Sequence, residues 1–218
     1  MKKAQGFTLV EIAIVLVIIG LLLGGILKGQ EMITQAKIKN VIADFSGVSA
    51  AYHGYQDRYR SIPGDDPNAA TRWAVAPAAI PGSGNGVVAG LYNGACVQVP
   101  VVGTPESCLW WDHLRRAGFV SGTGGLQPFN ALTGLVGVQT GDGAGAVTMG
   151  GMSGQIMCSA NLPDKVAIAV DTQMDDGVPA TGTVRGDLQA APNPNLDNTP
   201  AAAYAETGNN VYILCRSL

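Results

Sequence analysis

Residues 6–27, GFTLVEIAIVLVIIGLLLGGIL, decide how the rest of the chain is read. Ile12 to Leu27 carries no charge and no strongly polar side chain. As a helix, residues 7–27 would be about 31 Å long at roughly 1.5 Å per residue, which matches a bilayer hydrocarbon core of about 30 Å. Glu11 is the exception, a carboxylate four residues into the apolar segment. An ionisable group in such a place is read as functional, with a partner to be named. A secretory signal peptide would have a shorter apolar core followed by a small-residue cleavage site, and residues 21–29 offer none of that kind. Lys2 and Lys3 precede the run, so the positive-inside rule keeps residues 1–6 in the cytoplasm and exports the chain beyond the apolar segment.

Charged residues make up 13% of the 218-residue chain, and 30 residues are glycine, which allows one domain with an appendage. Without Lys2 and Lys3, 11 basic residues face 16 acidic ones, a side-chain charge of −5. Arg115-Arg116 is then the one adjacent basic pair, so there is no electrostatic support for nucleic-acid binding. The cysteines, Cys96, Cys108, Cys158 and Cys215, are even in number in an exported segment, which favours disulfides; three connectivities are open. We expect Cys96–Cys108 to close a short loop and Cys158–Cys215 to tie the C-terminal strand to a sheet. Zinc is disfavoured, with no CxxC and only His53 and His113 as histidines.

The short basic leader, Gly6-Phe7, Glu11 and the apolar run together resemble the processing signal of type IV prepilins and type II secretion pseudopilins. The resemblance implies that a prepilin peptidase cuts between Gly6 and Phe7 and that Phe7 is N-methylated. It also implies that Glu11 serves assembly, pairing with the new amine of a neighbouring subunit. Partners would be identical or homologous pilin subunits, the peptidase, an inner-membrane assembly platform and membrane lipid. The site would be a single pass of the bacterial inner membrane and a periplasmic or extracellular filament. At the place of Lys28 many type IV pilins carry a proline. Gly20, Gly24 and Gly25 could supply the same weak point in the helix, and Gly20-xxx-Gly24 reads equally as a helix-contact surface.

Beyond the apolar run, Ile38, Val41, Phe45, Val48, Tyr52, Tyr55 and Tyr59 recur in steps of three and four, one face of a helix. Pro63 should end that helix near Ser61. The expected organisation is a leader (1–6), a membrane or filament-core helix (7–27), its amphipathic continuation (28–61) and a disulfide-bonded head (62–218). Residues 62–68, with Asp65 and Asp66, read as a solvated turn. A helix over 107–117 is predicted, N-capped by Ser107 and stopped by Gly118. The last third reads as antiparallel strands, at 144–149, 155–158, 166–170 and around Val211 and Ile213, with a loop over 186–208. Val87-Val88 is a further short strand candidate. The fold class is α+β: a long N-terminal helix packed on a small antiparallel sheet. Segments SIPGDDPNA, WWDHLRRAGFVSG and MDDGVPATG also resemble parts of one group of pilin-like proteins.

No cofactor is called for. Some pseudopilins hold calcium in a head loop, which makes Asp171, Asp175 and Asp176 weak candidates, although their spacing is not that of an EF-hand. Asp112 and His113 adjoin without a placed nucleophile, so no enzyme is expected. A filament-tip adhesin or binding module is the alternative, favoured if Trp73, Trp110 and Trp111 are exposed.

Overall fold

The computed structural model describes residues 8–141, 149–196 and 199–218. The chain forms two compact units, residues 1–37 and 38–218. Helix α1, Leu9–Tyr59, enters both. In the first unit its apolar side chains are exposed, from Leu9 through Leu27 to Ile33. By length and composition it can cross a membrane.

The second unit begins with the amphipathic part of α1. Ile38, Val41, Phe45, Val48, Tyr52 and Tyr55 are buried along one face, at the spacing the sequence predicts. The helix ends at Tyr59, and Arg60 takes a left-handed conformation (φ 55°). A residue of that kind commonly terminates a helix. Three further helices come after it: α2 (Ala69–Arg72), α3 (Glu106–Arg116) and α4 (Asp164–Met174). Four strands, β1 (Val136–Thr140), β2 (Gln155–Pro163), β3 (Val184–Leu188) and β4 (Val211–Ser217), form one antiparallel sheet in the order β1-β2-β4-β3. The arrangement is α+β, as expected.

Strand periodicity divides the core into two layers. On one face, Val136, Val138, Met157, Tyr212 and Leu214 join the α1 stripe, Trp110, Trp111 and Val166. On the other, Ile156, Cys158, Ile213 and Cys215 pack with Tyr92, Met149 and Met152. Leu162 breaks the odd–even alternation of β2 yet joins the first layer. The register accounts for this: Ser159 faces Leu214 and Leu162 faces Tyr212, so β2 spends one extra residue, and Asn161 sits at φ 59°. This is a β-bulge, which reverses the facing of the residues beyond it.

The structure corrects several expectations in the head. Residues 166–170 are helical, not a strand. Asp164, Val166, Ala167, Val170 and Asp171 are the buried residues of α4, at helical spacing. The alternating valines conceal an i, i+4 pair, and the segment starts after Pro163, a helix-entry signal. β1 and β3 are additions to the expected strands, and β3 takes the start of the expected 186–208 loop. Gly137 opens β1 to another segment: a Cβ there would lie 1.9 Å from the Tyr92 carbonyl oxygen. Val87 and Val88 form no strand; the Val88 N–H donates to Thr140 Oγ1 (2.8 Å). α3 starts one residue earlier than expected, after Pro105, and the Ser107 hydroxyl caps nothing. The strand expected at 144–149 falls outside the described residues except for Met149, which lies in a turn.

Asp65 and Asp66 are buried rather than solvated. Asp65 accepts from the backbone N–H groups of Gly84, Asn85 and Gly86 and from the Ser83 hydroxyl, at 2.6–3.1 Å. Asp66 accepts from the Tyr55 hydroxyl (2.7 Å), the Asn68 N–H (2.9 Å) and Arg72. Burial alone would raise the Asp66 carboxyl. The Tyr55, Arg72 and Asn68 hydrogen bonds, with the Arg72 charge, bring it below its ordinary range. These two carboxylates fasten the 62–89 segment to the end of α1.

Candidate functional site

The start of α1 carries the candidate site. Thr8 precedes the helix, and its N–H and Oγ1 both donate to Glu11 Oε2, each at 2.8 Å. The Glu11 N–H returns a bond to Thr8 Oγ1 (3.3 Å), and the Ile12 N–H reaches the Thr8 carbonyl (3.3 Å). This is a capping box, in which the N-cap hydroxyl and the acid three residues later satisfy each other's backbone donors. Glu11 therefore has a partner within its own chain, in addition to the neighbour's amine that the resemblance implies. The signal is present in sequence as Thr8-Leu9-Val10-Glu11, a T-x-x-E directly ahead of an apolar run, a second reading of Glu11 beside the one drawn from its place in the apolar segment. A carboxylate in the first turn also meets the positive end of the helix dipole. Glu11 Oε2 is engaged, while Oε1 has no hydrogen bond among the described residues. Gly6 and Phe7, expected to flank a cleavage site, lie outside the described residues.

Further along, Gly20, Gly24 and Gly25 lie within unbroken helix. A Cβ at any of them would meet nothing within 4 Å. Contacts within this chain therefore give no steric reason for glycine at these places.

In the head, Cys96 is bonded to Cys108 and Cys158 to Cys215. The second bond joins residues directly opposite one another on β2 and β4. Asp171, Asp175 and Asp176 come together, each offering a carboxylate oxygen within 4.8 Å of the others. Asp171 is buried and accepts from the Tyr204 hydroxyl (2.6 Å). Burial pushes its carboxyl above the usual range, and the neighbouring Asp176 and Asp175 charges add to this. Asp175 accepts from the N–H groups of Thr183 and Val184, and Asp176 from Val178 N–H and Thr181 Oγ1. The three carboxylates could act as cation ligands, but much of their acceptor capacity already serves the turn. Calcium takes 6–8 oxygens.

His113 and Asp112 do not form a catalytic pair. His113 Nδ1 accepts from the Gly64 N–H (2.9 Å), so Nε2 carries the proton and donates to the Ile80 carbonyl (2.8 Å). Burial holds this imidazole below its ordinary pKa, in the neutral form its hydrogen bonds require. Asp112 is taken by Arg116 (2.6 Å). Trp110 and Trp111 are fully buried and Trp73 is half-buried, so the two adjacent tryptophans offer no exposed platform for a ligand.

A family model matches the segment built around this cap. The chain carries a prokaryotic N-terminal methylation motif, over residues 1–27. This motif is the class III signal of type IV pilins and pseudopilins. It supports a type IV pilin-like or pseudopilin-like precursor and points to a structural subunit. The methylation motif and the apolar helix together fit anchoring in the inner membrane, and the motif implies processing by prepilin peptidase and assembly into filaments. No curated protein and no solved structure matches the chain.

Proposed function

We propose that the chain is a structural subunit of a type IV pilus or a type II secretion pseudopilus. Prepilin peptidase cuts between Gly6 and Phe7 in the inner membrane, and the new amine of Phe7 is methylated. Subunits then leave the membrane and pack their apolar helices into a filament core with the heads outside. The observation that carries this reading is the methylation motif over residues 1–27, together with the exposure of the apolar side chains of α1 from Leu9 to Ile33 among the described residues. Such a surface is accommodated in lipid or against other copies of itself. Because the subunit starts in lipid, apolar burial gains little on assembly, so the filament needs directional contacts as well. Glu11 supplies one: its free oxygen can meet the Phe7 amine of a neighbour and set the axial stagger. Gly20, Gly24 and Gly25 allow close approach of helices or local unwinding at that level.

Mass spectrometry of membrane-extracted protein tests the processing step. A chain beginning at N-methylated Phe7 is expected, and a chain still beginning at Met1 in cells containing the peptidase overturns the reading.

A further inference from the structure

Opposite edges of the head's sheet carry complementary charge. On the β1 side, the last turn of α3, the Cys96–Cys108 loop and residues 122–124 enclose a cleft of about 360 Å³. Pro77, Val99 and Pro100 form apolar walls, and Arg115 and Arg116 supply its cations. Both guanidinium groups are fixed within the chain by some of their nitrogens. Arg116 Nε donates to Asp112 Oδ2 (2.6 Å), and Arg115 donates through Nε and Nη1 to the carbonyls of Ser121, Gly124 and Leu126. Among the described residues, Arg115 Nη2 and both terminal nitrogens of Arg116 have no acceptor. Two positive charges thus face one buried carboxylate, in a chain whose side chains sum to −5 without the leader lysines. The cleft is suited to one more carboxylate on a short aliphatic stem, held by the Arg115 and Arg116 N–H donors that have no acceptor among the described residues.

At the other edge, the turn after α4 is bonded through Asp175 to Thr183 and to Val184, the first residue of β3. Asp176 is exposed; each of its oxygens accepts one hydrogen bond within the turn and keeps a further lone pair, and no basic side chain among the described residues forms an ion pair with Asp171, Asp175 or Asp176. We propose that the Arg115–Arg116 cleft of one head receives Asp176 of a second copy of this chain. The contact joins two different surfaces, so it is heterologous and can repeat without closing. The inference rests on the filament reading for its setting, because repetition along an axis is what a filament requires.

The test is site-specific photo-crosslinking in membranes of cells producing the full chain, with p-benzoylphenylalanine at Val99. That side chain lines the cleft and is 53% exposed. The expected product is a dimer whose joined peptide contains Asp176. Asp176→Asn keeps an oxygen for the Val178 N–H and turns an amide N–H toward the Thr181 hydroxyl, which then accepts, but it loses the charge, and it should cut the dimer yield several-fold. Asp57→Asn, the same charge change elsewhere, should leave the yield unchanged. Washing in about 1 M salt, where the screening length is roughly 3 Å, should also lower the yield. A monomer only, a crosslink to another segment, or an Asp176→Asn yield equal to wild type overturns the proposal. Sheared filaments separate the two readings. The Asp176-dependent dimer without filaments retains the head contact and removes the filament, whereas filaments without that dimer do the reverse.

Discussion

Replacing Tyr55 by Phe removes a single oxygen from the joint between α1 and the head. The ring is fully buried, so Phe fills the same space and leaves no cavity to account for. What is lost is the 2.7 Å hydrogen bond to Asp66, whose side chain has no exposed surface. Hydrogen bonds to a charged group are worth about 1.5–3 kcal/mol. For a unit of this size that is a fall in melting temperature of roughly 3–12 °C. The pH dependence supplies a second reading. Asp66 sits below its ordinary value of 3.8 in the folded chain, so its contribution is present above the unfolded pKa and lost as pH falls through the folded one. The difference between wild type and Tyr55→Phe should therefore be largest near neutral pH and shrink as pH falls below 3.8. Thermal unfolding of the detergent-solubilised full chain, followed by near-ultraviolet circular dichroism, measures both. A loss under about 0.5 kcal/mol at pH 7, or a gap that does not narrow in acid, would refute the role given to this bond.

Glu11→Gln retains the acceptor oxygen of the capping box and loses the charge, whereas Thr8→Ala loses the cap and retains the charge. Sheared-filament yield should collapse for the first and fall less for the second, and wild-type yield from Glu11→Gln would show that the carboxylate's charge does not set register. Replacing Cys158 and Cys215 together by Ala opens a loop of 57 residues, for a loss of about 4 kcal/mol on chain-entropy grounds, read by urea unfolding. Gly137→Ala would drive a methyl group into the Tyr92 carbonyl, so β1 should lose amide-exchange protection while residues 9–37 of α1 keep theirs; unchanged β1 protection would count against this close approach.

Features that neighbouring residues complete among themselves were legible in the amino-acid order. The apolar run, the T-x-x-E cap and the three-and-four stripe from Ile38 to Tyr59 each close within a few turns of one helix, and α1 is their product. β4 and the start of β2 were readable for the same reason, since alternation is local. Other features depend on partners that are distant along the chain. Val166 to Val170 satisfies a strand pattern and a helix pattern at once, and only packing against the sheet selects the helical face. β1 and β3 are short and contain glycine, and they become strands because β2 and β4 offer them paired edges. Asp65 and Asp66 look like solvent-facing turn residues in sequence. They are buried because Asp65's donors arrive from residues 83–86, and because Tyr55 and Arg72 come from helices on either side of Asp66. Burial of a charge is set by who meets it, and that meeting is made by the fold.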